Sequence, residues 1–459
     1  MFRLLICLCA LIATPLAAQM SVPESRAEMQ MGFVPVVEAA APAVVNIYAR
    51  RVIEAQASPF ANDPFFREFF GNFGQMRPRV QNSLGSGVIL SEDGIVVSNY
   101  HVVGGATDIR VVLNDRREFS ATILLADRAS DLAILKLEDA GDLPALELRD
   151  SNSIQVGELA LAIGNPFGVG QTVSSGIISG LARSGMAVGT GRGLFLQTDA
   201  PINPGNSGGA LVDMNGRLIG INTSILSRSG GSNGIGFAIP ADMVAQFVAQ
   251  AKAGLDRFQR PWAGIGGQPV TPELAEALGL DGPFGVVITE LHELSPFRRA
   301  GLAAGDVILS VADQPVFTPE EVLYHLSVAG AGAELSVDAM MDGQVETLKV
   351  GLILPPDAPP RGPLVTSSDT VLPGMTLSNI NPVVIAQYGL TQSAQGVIVD
   401  DPGRLAGRLG LRPGDVLLGV NGEPVQEAAD AEAILTDPGR RLRIDVLRGG
   451  QRLSLRARL

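Results

Sequence analysis

The sequence predicts a mostly β protein, in which an antiparallel barrel or sandwich precedes two copies of a smaller domain. Three observations support this: short strand-like segments from about residue 43 to residue 240, one helix-like segment after them, and an internal repeat further along. With 459 residues the chain is too long for a single core, and about two to four domains are expected.

The composition excludes several classes of function. Hydrophobic residues make up 46% of the chain, and 54 Gly and 30 Pro imply many turns. The formal net charge of −13 argues against a nucleic-acid partner, because neutralising phosphates requires clustered Lys and Arg. The cysteines are Cys7 and Cys9, both in the N-terminal segment, so the exported chain would hold no disulfide and no cysteine-ligated metal. We expect no metal and no cofactor.

Residues 1–18 have the layout of a cleavable signal peptide. One basic residue, Arg3, precedes an apolar stretch over residues 4–16, and small residues follow at Ala17 and Ala18. The apolar stretch is shorter than a membrane-spanning helix, which disfavours the alternative of an uncleaved anchor. A lipid anchor is disfavoured because neither cysteine follows a suitable small residue. The sequence therefore predicts export.

The segment from residue 43 to residue 240 consists mainly of hairpin patterns. SGVILSEDGIVVSN predicts two strands joined by an Asp-Gly turn at Gly94, and GALVDMNGRLIGINTSI predicts two more joined by an Asn-Gly turn at Gly216. Successive strands without helices between them favour a barrel or a sandwich. Residues 56–81 interrupt the pattern with a long insertion rich in phenylalanine, which we expect to be an interaction surface.

An internal repeat follows the β-rich region. After residue 240, DMVAQFVAQAKAG predicts an amphipathic helix that closes the first domain. The string GLAAGDVILSVADQPV then aligns without gaps with GLRPGDVLLGVNGEPV, about 110 residues later, which indicates two small domains rather than a solenoid. The predicted units are a β-rich domain 19–257, a first repeated domain 258–354, a proline-rich linker 355–370 and a second repeated domain 371–459.

Ser207 is the candidate nucleophile, because the glycines on both sides of it let the backbone turn tightly and present the hydroxyl. The string around it also fits G-x-S-x-G, the nucleophile elbow of α/β-hydrolases. That elbow leads from a strand into a helix, whereas here a hairpin pattern follows. Its histidine also comes after the serine, and the later histidines, His292 and His325, lie in the repeated domains as ordinary surface or packing residues. The elbow interpretation therefore fails.

His101 and Asp131 complete a predicted catalytic triad with Ser207. His101 follows a strand in VVSNYHVV, and Asp131 begins the apolar strand DLAILKL. The chain order His, Asp, Ser is that of chymotrypsin-type proteases, in which the histidine takes the proton of the serine and the aspartate orients the imidazole. Asp127 is the alternative acid, and we prefer Asp131 because the strand that it begins is more apolar.

The residues just before Ser207 predict the oxyanion hole and the primary specificity pocket. Backbone N–H groups of Gly205 and Ser207, with Asn206 as a further donor, would bind the oxyanion. The pocket-lining segment is Ala-Pro-Ile, ending at Ile202, and contains no acid, so we expect cleavage after small aliphatic residues. Asp199 lies two positions too early to be a pocket acid, and a structural role is expected for it.

Long segments of the chain resemble the Do-like (Deg/HtrA) serine endopeptidases. The similar strings are SGVILSEDGIVVSNYHVV, ASDLAILKL, AIGNPFG, VSSGIISGLAR, FLQTDAPINPGNSGGALVDMNGRLIGINT and GIGFAIP, and the resemblance spans nearly the whole chain. It implies a chymotrypsin-like double β-barrel protease domain followed by two α+β PDZ domains. It also implies trimers that assemble into larger cages. His101, Asp131 and Ser207 stand where the family has its triad.

The resemblance also implies regulatory loops and a substrate-binding strand. Residues 56–81 resemble the loop that reaches into a neighbouring subunit and blocks or reshapes its active site. Residues 184–193 resemble the loop that senses the PDZ domain, and residues 226–236 border the specificity pocket. In that family the oxyanion hole can stay disordered until such loops lock. An edge strand would lie beside the bound substrate. Its residues would be Thr223, Ser224, Ile225, Leu226 and Ser227.

PDZ domains add a peptide strand to a sheet edge and hold a C-terminal carboxylate with backbone N–H groups. In the first repeat, the loop that follows Arg260 and Trp262 would supply this nest of N–H groups. Its residues are Ala263, Gly264, Ile265, Gly266 and Gly267. In the second repeat, Pro373 removes a donor, so we expect weak peptide binding and a role in assembly.

The expected function is ATP-independent endoproteolysis of unfolded envelope proteins in the periplasm, combined with chaperone activity. The partners would be unfolded proteins or peptides and further copies of the chain. Peripheral contact with a membrane is left open, and no nucleic acid is expected. The alternatives are a chaperone cage that holds clients without cutting them and a regulatory site-specific protease. The latter is disfavoured because that type keeps a membrane anchor and one PDZ domain.

Overall fold

The computed structural model describes most of the chain between residues 32 and 458. The described ranges are 32–53, 79–165, 170–184, 193–203, 205–225 and 234–458. The predicted signal peptide, most of the insertion 56–81 and most of the two glycine-rich loops lie outside these ranges. Within them, no helix combines the length and the apolar character needed to span a membrane.

The first β barrel confirms a barrel rather than a sandwich. Its strands are β1 Val44–Ile53, β2 Arg79–Ile89, β3 Ile95–Ser98, β4 Asp108–Val112, β5 Glu118–Asp127 and β6 Leu132–Leu137. They close in the order β1-β2-β3-β6-β5-β4, with every neighbouring pair antiparallel. Helix α1, Val34–Ala40, precedes the barrel, and helix α2, Tyr100–Val103, follows β3. Ile47, Ile89 and Leu135 are among the fully buried side chains that fill it.

A second barrel follows with the same closed arrangement. Its strands are β7 Leu159–Gly164, β8 Thr172–Ser184, β9 Leu194–Thr198, β10 Ala210–Val212, β11 Leu218–Ile225 and β12 Gly236–Pro240. Their order is β10-β11-β12-β9-β8-β7. Helix α3, Ala241–Lys252, then packs on the barrels, and its buried Phe247 stacks on Phe258 with ring centroids 4.0 Å apart. The predicted closing helix is therefore confirmed.

Both predicted hairpin turns form where glycine is required. Gly94 lies between β2 and β3 with φ +91°, and Gly216 lies between β10 and β11 with φ +77°. Residues other than glycine rarely adopt such positive φ values. The Asp-Gly and Asn-Gly signals were therefore sufficient to locate these turns.

The first repeated unit is a six-stranded antiparallel sheet flanked by helices. Its strands are β13 Ile265–Pro269, β14 Val286–Leu291, β15 Val307–Val311, β16 Gln314–Pro315, β17 Glu334–Met341 and β18 Gln344–Gly351. The sheet runs β13-β14-β15-β17-β18, with β16 paired to β15. Its helices are α4 Pro272–Leu278, α5 Pro296–Arg299 and α6 Pro319–Ala329.

The second repeated unit has the same plan with one extra strand. Its strands are β19 Leu364–Val365, β20 Thr376–Asn379, β21 Val397–Asp401, β22 Val416–Val420, β23 Glu423–Pro424, β24 Arg441–Arg448 and β25 Gln451–Arg458. The order is β19-β20-β21-β22-β24-β25, with β23 paired to β22. Its helices are α7 Pro382–Tyr388, α8 Gly403–Arg408 and α9 Ala428–Thr436. The aligned repeat segments contain β15 and β22, which occupy equivalent positions, while the domain boundaries stay predictions.

Candidate active site

The predicted triad residues lie where the two barrels meet. His101 is on α2, directly after β3, and Asp131 directly precedes β6 of the same barrel. Ser207 lies in the turn before β10 of the second barrel, and its carbonyl accepts a hydrogen bond from the N–H of Ser86 on β2. Each of the three side chains is therefore positioned by the end of a strand, and both barrels are needed to bring the three together.

His101 and Asp131 form a tight pair. Nδ1 of His101 lies 2.8 Å from Oδ2 of Asp131, and the backbone N–H of His101 donates to Oδ1 at 3.0 Å. A carboxylate only accepts hydrogen bonds, so Nδ1 carries the proton and Nε2 of the neutral ring is an acceptor. The His101 side chain is 49% exposed and that of Asp131 only 11%, so the base faces solvent while the acid is shielded.

Thr223 joins the acid to the serine. Its hydroxyl donates to Oδ2 of Asp131 at 2.7 Å, and its carbonyl accepts from the Ser207 hydroxyl at 3.0 Å. A hydroxyl has one hydrogen, so Ser207 does not also donate to His101 in this conformation. The three predicted triad residues therefore belong to one hydrogen-bonded chain, His101–Asp131–Thr223–Ser207.

The nucleophile turn is fastened to the first barrel by Ser86. The hydroxyl of Ser86 donates to the carbonyl of Gly205 at 2.7 Å, and its N–H donates to the carbonyl of Ser207 at 2.9 Å. The carbonyl of Ser86 accepts from Ser98, and its hydroxyl accepts from the N–H of Asn165. Ser86 is fully buried, so each of these bonds replaces one that water would otherwise make.

The turn that contains Ser207 also contains the N–H groups predicted to form the oxyanion hole. Gly205 has φ +99°, a conformation in which glycine is strongly favoured. The N–H of Asn206 donates to the carbonyl of Asn203 at 3.0 Å, so in this conformation Asn206 supports the turn. Gly205 and Ser207 stay the predicted N–H donors to an oxyanion.

The turn before Asp131 is held by Arg260, which follows the barrel domain. The guanidinium of Arg260 binds both carboxylate oxygens of Asp127 and the hydroxyl of Ser130. Asp127 also accepts the N–H of Ser130 at 2.7 Å, and Asp131 itself has φ +54°. Asp131, and not Asp127, is therefore the carboxylate beside His101, while Asp127 organises the turn that presents it.

The residues predicted to line the specificity pocket are tightly packed. Ala200 and Ile202 are each 1% exposed. A Cβ on Gly236 would lie 2.8 Å from Cδ1 of Ile202, so little space separates these two residues. Oδ1 of Asp199 accepts the N–H of Ile177 at 2.6 Å, which is the structural role expected from its position.

The end of β11 has the pairing expected of a substrate-binding strand. Ser224 and Ile225 pair with β12, whereas Thr223 falls in a bulge of this ladder and the pairing of β11 with β10 ends at Ile221. Among the described residues, the second edge of Ser224 and Ile225 is therefore open. Leu226 and Ser227, also predicted to contact substrate, lie outside the described residues.

In the first repeated unit, the predicted peptide nest adjoins an open sheet edge. Strand β13, which contains Gly266 and Gly267, is the end strand of its sheet, and Gly264 before it has φ +61°. The carbonyl of the buried Ala263 accepts the hydroxyl of Ser295 at 2.6 Å, which anchors the loop. A cavity of about 380 Å³ lies beside this loop. Its lining combines Trp262, Ile265 and Leu323 with Met243 of the barrel domain and Leu390 of the second repeated unit, so three parts of the chain enclose it.

In the second repeated unit, the equivalent edge is covered by its own chain. Strand β19 pairs with β20, the counterpart of β13. The N–H of Gly374, which aligns with Gly264, donates to the carbonyl of Thr366 at 2.9 Å. The N–H of Met375 donates to the hydroxyl of Thr366, also at 2.9 Å. Thr366 therefore occupies N–H groups that correspond to the nest of the first unit.

The two other histidines are ordinary packing residues, as expected. Nδ1 of His292 accepts the N–H of Leu294 at 3.1 Å, and the ring contacts Trp262 edge-on. Burial lowers the pKa of both His292 and His325 below the usual histidine value. Within the described ranges, no three potential metal-ligating side chains come together.

Three groups that support the active site were not predicted from the sequence. They are Ser86, Arg260 and the hydroxyl of Thr223. Ser86 lies between Gly85 and Gly87 in a strand, and glycine inside a strand signals close backbone approach, so its position was detectable. The contact of Arg260 with Asp127 spans 133 positions in the sequence, and no local pattern predicts it.

Each of the three folded parts of the chain matches a protein-family model. Residues 85–221 match the trypsin-like peptidase domain, and residues 246–352 and 400–448 match PDZ domains. The chain is therefore a trypsin-like serine endopeptidase that carries two PDZ domains.

Individual relatives define the family more closely. A probable periplasmic serine protease do/HhoA-like of Haemophilus influenzae is 36% identical over 453 residues, which cover 95% of this chain and 94% of the relative. The periplasmic pH-dependent serine endoprotease DegQ of Escherichia coli is 34% identical and covers 92% of this chain and 90% of its own length. The solved structure of the HtrA-type protease AlgW with a decapeptide is 41% identical with a TM-score of 0.52, and covers 71% of this chain and 99% of AlgW. The chain belongs to the Do-like (Deg/HtrA) family of serine endoproteases.

The role of the Thr223 hydroxyl can be tested with Thr223→Val, which keeps the shape of the side chain and the carbonyl. A hydrogen bond to a charged group contributes about 1.5–3 kcal/mol, so kcat on a short chromogenic peptide should fall about tenfold or more. Thr223→Ser retains a hydroxyl and should keep most of the activity. Equal kcat for the valine variant and the unaltered protein would contradict the role assigned to this bond.

The role of Arg260 can be tested with Arg260→Gln, which releases Asp127 and Ser130. One partly buried ion pair contributes about 1 kcal/mol, so kcat on a short peptide should fall about fivefold while KM changes little. Arg257→Gln alters an exposed arginine three positions away and serves as the matched control. If both variants keep full kcat, the turn does not need the Arg260 clamp.

Proposed function

We propose that this endopeptidase degrades unfolded envelope proteins in the periplasm without ATP, with His101, Asp131 and Ser207 as its triad. The observation that supports the triad is the hydrogen-bonded chain in which Thr223 links Asp131 to Ser207. Relatives named as periplasmic proteases support the location, together with the signal peptide predicted at residues 1–18.

The proposed reaction is acyl transfer through Ser207. The Ser207 hydroxyl turns from the Thr223 carbonyl towards Nε2 of His101, which takes its proton as the oxygen attacks the substrate carbonyl. Asp131 keeps Nδ1 protonated and stabilises the imidazolium that forms. The N–H groups of Gly205 and Ser207 would bind the oxyanion. His101 then gives the proton to the leaving amine, and water releases the acyl group by the same steps.

We propose that cleavage follows small aliphatic residues such as Val, Ala or Ile. The close approach of Gly236 and Ile202 supports this, because it leaves space for a short side chain only. In the described part of the chain, Ile202 clusters with apolar side chains such as Leu196 and Ala238, which offer no partner for a charged side chain. The open edge of Ser224 and Ile225 would receive the substrate as an added strand.

The first PDZ domain is proposed to capture substrate peptides, and the second to serve assembly. An open β13 edge beside a cavity supports peptide binding in the first domain. In the second, the segment ending at Thr366 already fills the corresponding edge and N–H groups. Peptide binding by the second domain would then be weak because its strand edge is covered, and not because Pro373 lacks an N–H donor.

Chaperone activity and assembly into trimers and larger cages complete the proposal, which the family resemblance supports. A cage that only held clients would be the alternative. Measuring the mass of the native assembly with and without denatured substrate tests whether cages form. Retention of an unfolded client by a cleavage-deficient variant tests the chaperone activity.

Replacement of the nucleophile is the decisive test of catalysis. Ser207→Ala should reduce casein digestion by a factor of about 10⁴ or more, because no other nucleophile replaces the hydroxyl. Ser368→Ala alters an exposed serine between β19 and β20 of the second PDZ domain and serves as the serine control. Casein digestion by Ser207→Ala at the unaltered rate would disprove the proposed triad, and retained client binding by the same variant would support the chaperone role.

The pocket proposal predicts a change of specificity for Gly236→Ala. The added Cβ narrows the space beside Ile202, so kcat/KM for a substrate with Val before the cleaved bond should fall about tenfold relative to one with Ala. Adding Ile202→Val should restore the space and part of the preference. Gly141→Ala is a suitable control, since a Cβ there meets nothing within 4 Å. If the ratio of kcat/KM for the Val substrate to kcat/KM for the Ala substrate is unchanged in Gly236→Ala, the proposal that Ile202 and Gly236 border the specificity pocket is wrong.

A further inference from the structure

The cavity of about 380 Å³ beside residues 263–267 of the first PDZ domain has one wall that comes from the second PDZ domain. Its other walls come from the first domain, through Ile265 of β13 and Leu323 of α6, and from Met243 of the barrel domain. The residues of the second domain lie at the end of α7 and in the turn after it. They are Ile385, Ala386, Gly389, Leu390 and Gln392, here called the α7 wall.

Helix α7 is held in this position by a hydrogen bond before each end of the wall. Asn381, the buried N-cap of α7, donates its side-chain amide to the carbonyl of Pro359 in the linker at 2.7 Å. Beyond the helix, the N–H of Gln392 donates to Oε2 of Glu290 in the first PDZ domain, also at 2.7 Å. The α7 wall is therefore placed against the first domain by specific contacts.

Helix α6, which forms another wall of the cavity, is fixed by the barrel domain. Tyr324 and Val328 of α6 pack against the core that fills the barrels. A Cβ on Gly330, at the end of α6, would lie 3.2 Å from the side chain of Gln246 on α3. Both walls thus contact a neighbouring domain, so the cavity has a defined width and its lining side chains decide what fits.

The lining of the cavity suits an apolar side chain at the end of a peptide. Its volume is at the lower end of the range of about 300–1,000 Å³ found for ligand pockets. Trp262 and Leu390 add to its apolar surface, while Arg260 and Glu320 contribute one charge of each sign. Nests of backbone N–H groups bind carboxylates, so a peptide whose carboxylate entered the nest at 263–267 would place its last side chain in the cavity.

We propose that the α7 wall of the second PDZ domain completes the peptide pocket of the first, and that Ala386 and Leu390 help to select the last side chain of a captured peptide. The occupant is the end of an unfolded chain that has a free carboxylate and an apolar last residue. The proposal rests on the proposed capture of peptides by the first PDZ domain. It gives the second domain a part in recognition although its own strand edge is covered.

The remaining space favours a shared pocket over obstruction of the first domain. If the second domain only closed the groove, its side chains would fill the space beside the nest, whereas a cavity of about 380 Å³ remains there. The edge of β13 is also free of any strand from the second domain. A peptide can therefore pair with β13 while the α7 wall contacts its last side chain.

The test measures binding of labelled decapeptides to the full-length Ser207→Ala protein by fluorescence anisotropy. The peptides differ only in the last residue, Phe or Ala, and each is also made with a C-terminal amide. Ala386→Leu narrows the cavity and keeps a helix-forming residue, so it should weaken binding of the Phe peptide about tenfold and of the Ala peptide about twofold. Gln387→Leu introduces the same side chain at the next, exposed position of α7, outside the cavity, and should bind both peptides as the parent does.

A second variant changes the position of the α7 wall without changing its side chains. Glu290→Gln keeps the shape of the residue but removes the charge that accepts the N–H of Gln392. Hydrogen bonds to charged groups are roughly twice as strong as neutral ones, so the preference for the Phe peptide over the Ala peptide should fall about threefold. If Ala386→Leu lowers the thermal midpoint, Glu290→Gln decides the question.

Two results would overturn the proposal and leave peptide capture by the first domain intact. One is equal affinity of Ala386→Leu and Gln387→Leu for the Phe peptide. The other is tighter binding of both peptides by Glu290→Gln, which would show that the second domain obstructs the groove. If the parent binds carboxylate and amide peptides equally, the proposed peptide capture fails and this proposal fails with it. Failure of the protease function would appear separately, as casein digestion by Ser207→Ala.

Discussion

The attachment of the nucleophile turn to the first barrel is the constraint on which the active site depends. Ser86 is buried on β2, and its hydrogen bonds hold the carbonyls of Gly205 and Ser207 in the turn before β10. Without such bonds, several buried polar groups would be left unpaired, at about 1–3 kcal/mol for each. The second barrel can therefore pack on the first in one position only, and this position sets Ser207 against His101 and Asp131.

The same site is supported from three parts of the chain. Thr223, on the second barrel, binds the carboxylate of Asp131, which belongs to the first. Arg260, at the entrance to the first PDZ domain, holds the turn that precedes Asp131 through Asp127. Arg260 is therefore a contact between the start of the first PDZ domain and the turn that presents the catalytic acid.

The two PDZ domains show how one fold is adapted to different tasks. Both have the same strand order, yet the first leaves β13 open while the second covers β20 with β19. The outer face of the terminal hairpin is mixed in the first domain and rich in arginine in the second. These differences lie outside the shared core, where substitutions are limited mainly by solubility and binding. Among the described residues, the first domain therefore leaves a strand edge open that the second covers.

The sequence by itself determined a strand-rich region that fits a barrel or a sandwich, the repeat, the hairpin turns and the candidate triad. Those features depend on local patterns: alternation, Asp-Gly and Asn-Gly turns, and a serine between glycines in a chain with three histidines. Tertiary structure alone decided that the strands close into barrels, that the Thr223 hydroxyl binds Asp131 and that Arg260 holds Asp127. It also decided that Thr366 fills the edge of the second PDZ domain. Apart from the glycines that flank Ser86, these contacts leave no local signal in the sequence, because they join residues far apart in the chain and depend on how the domains pack.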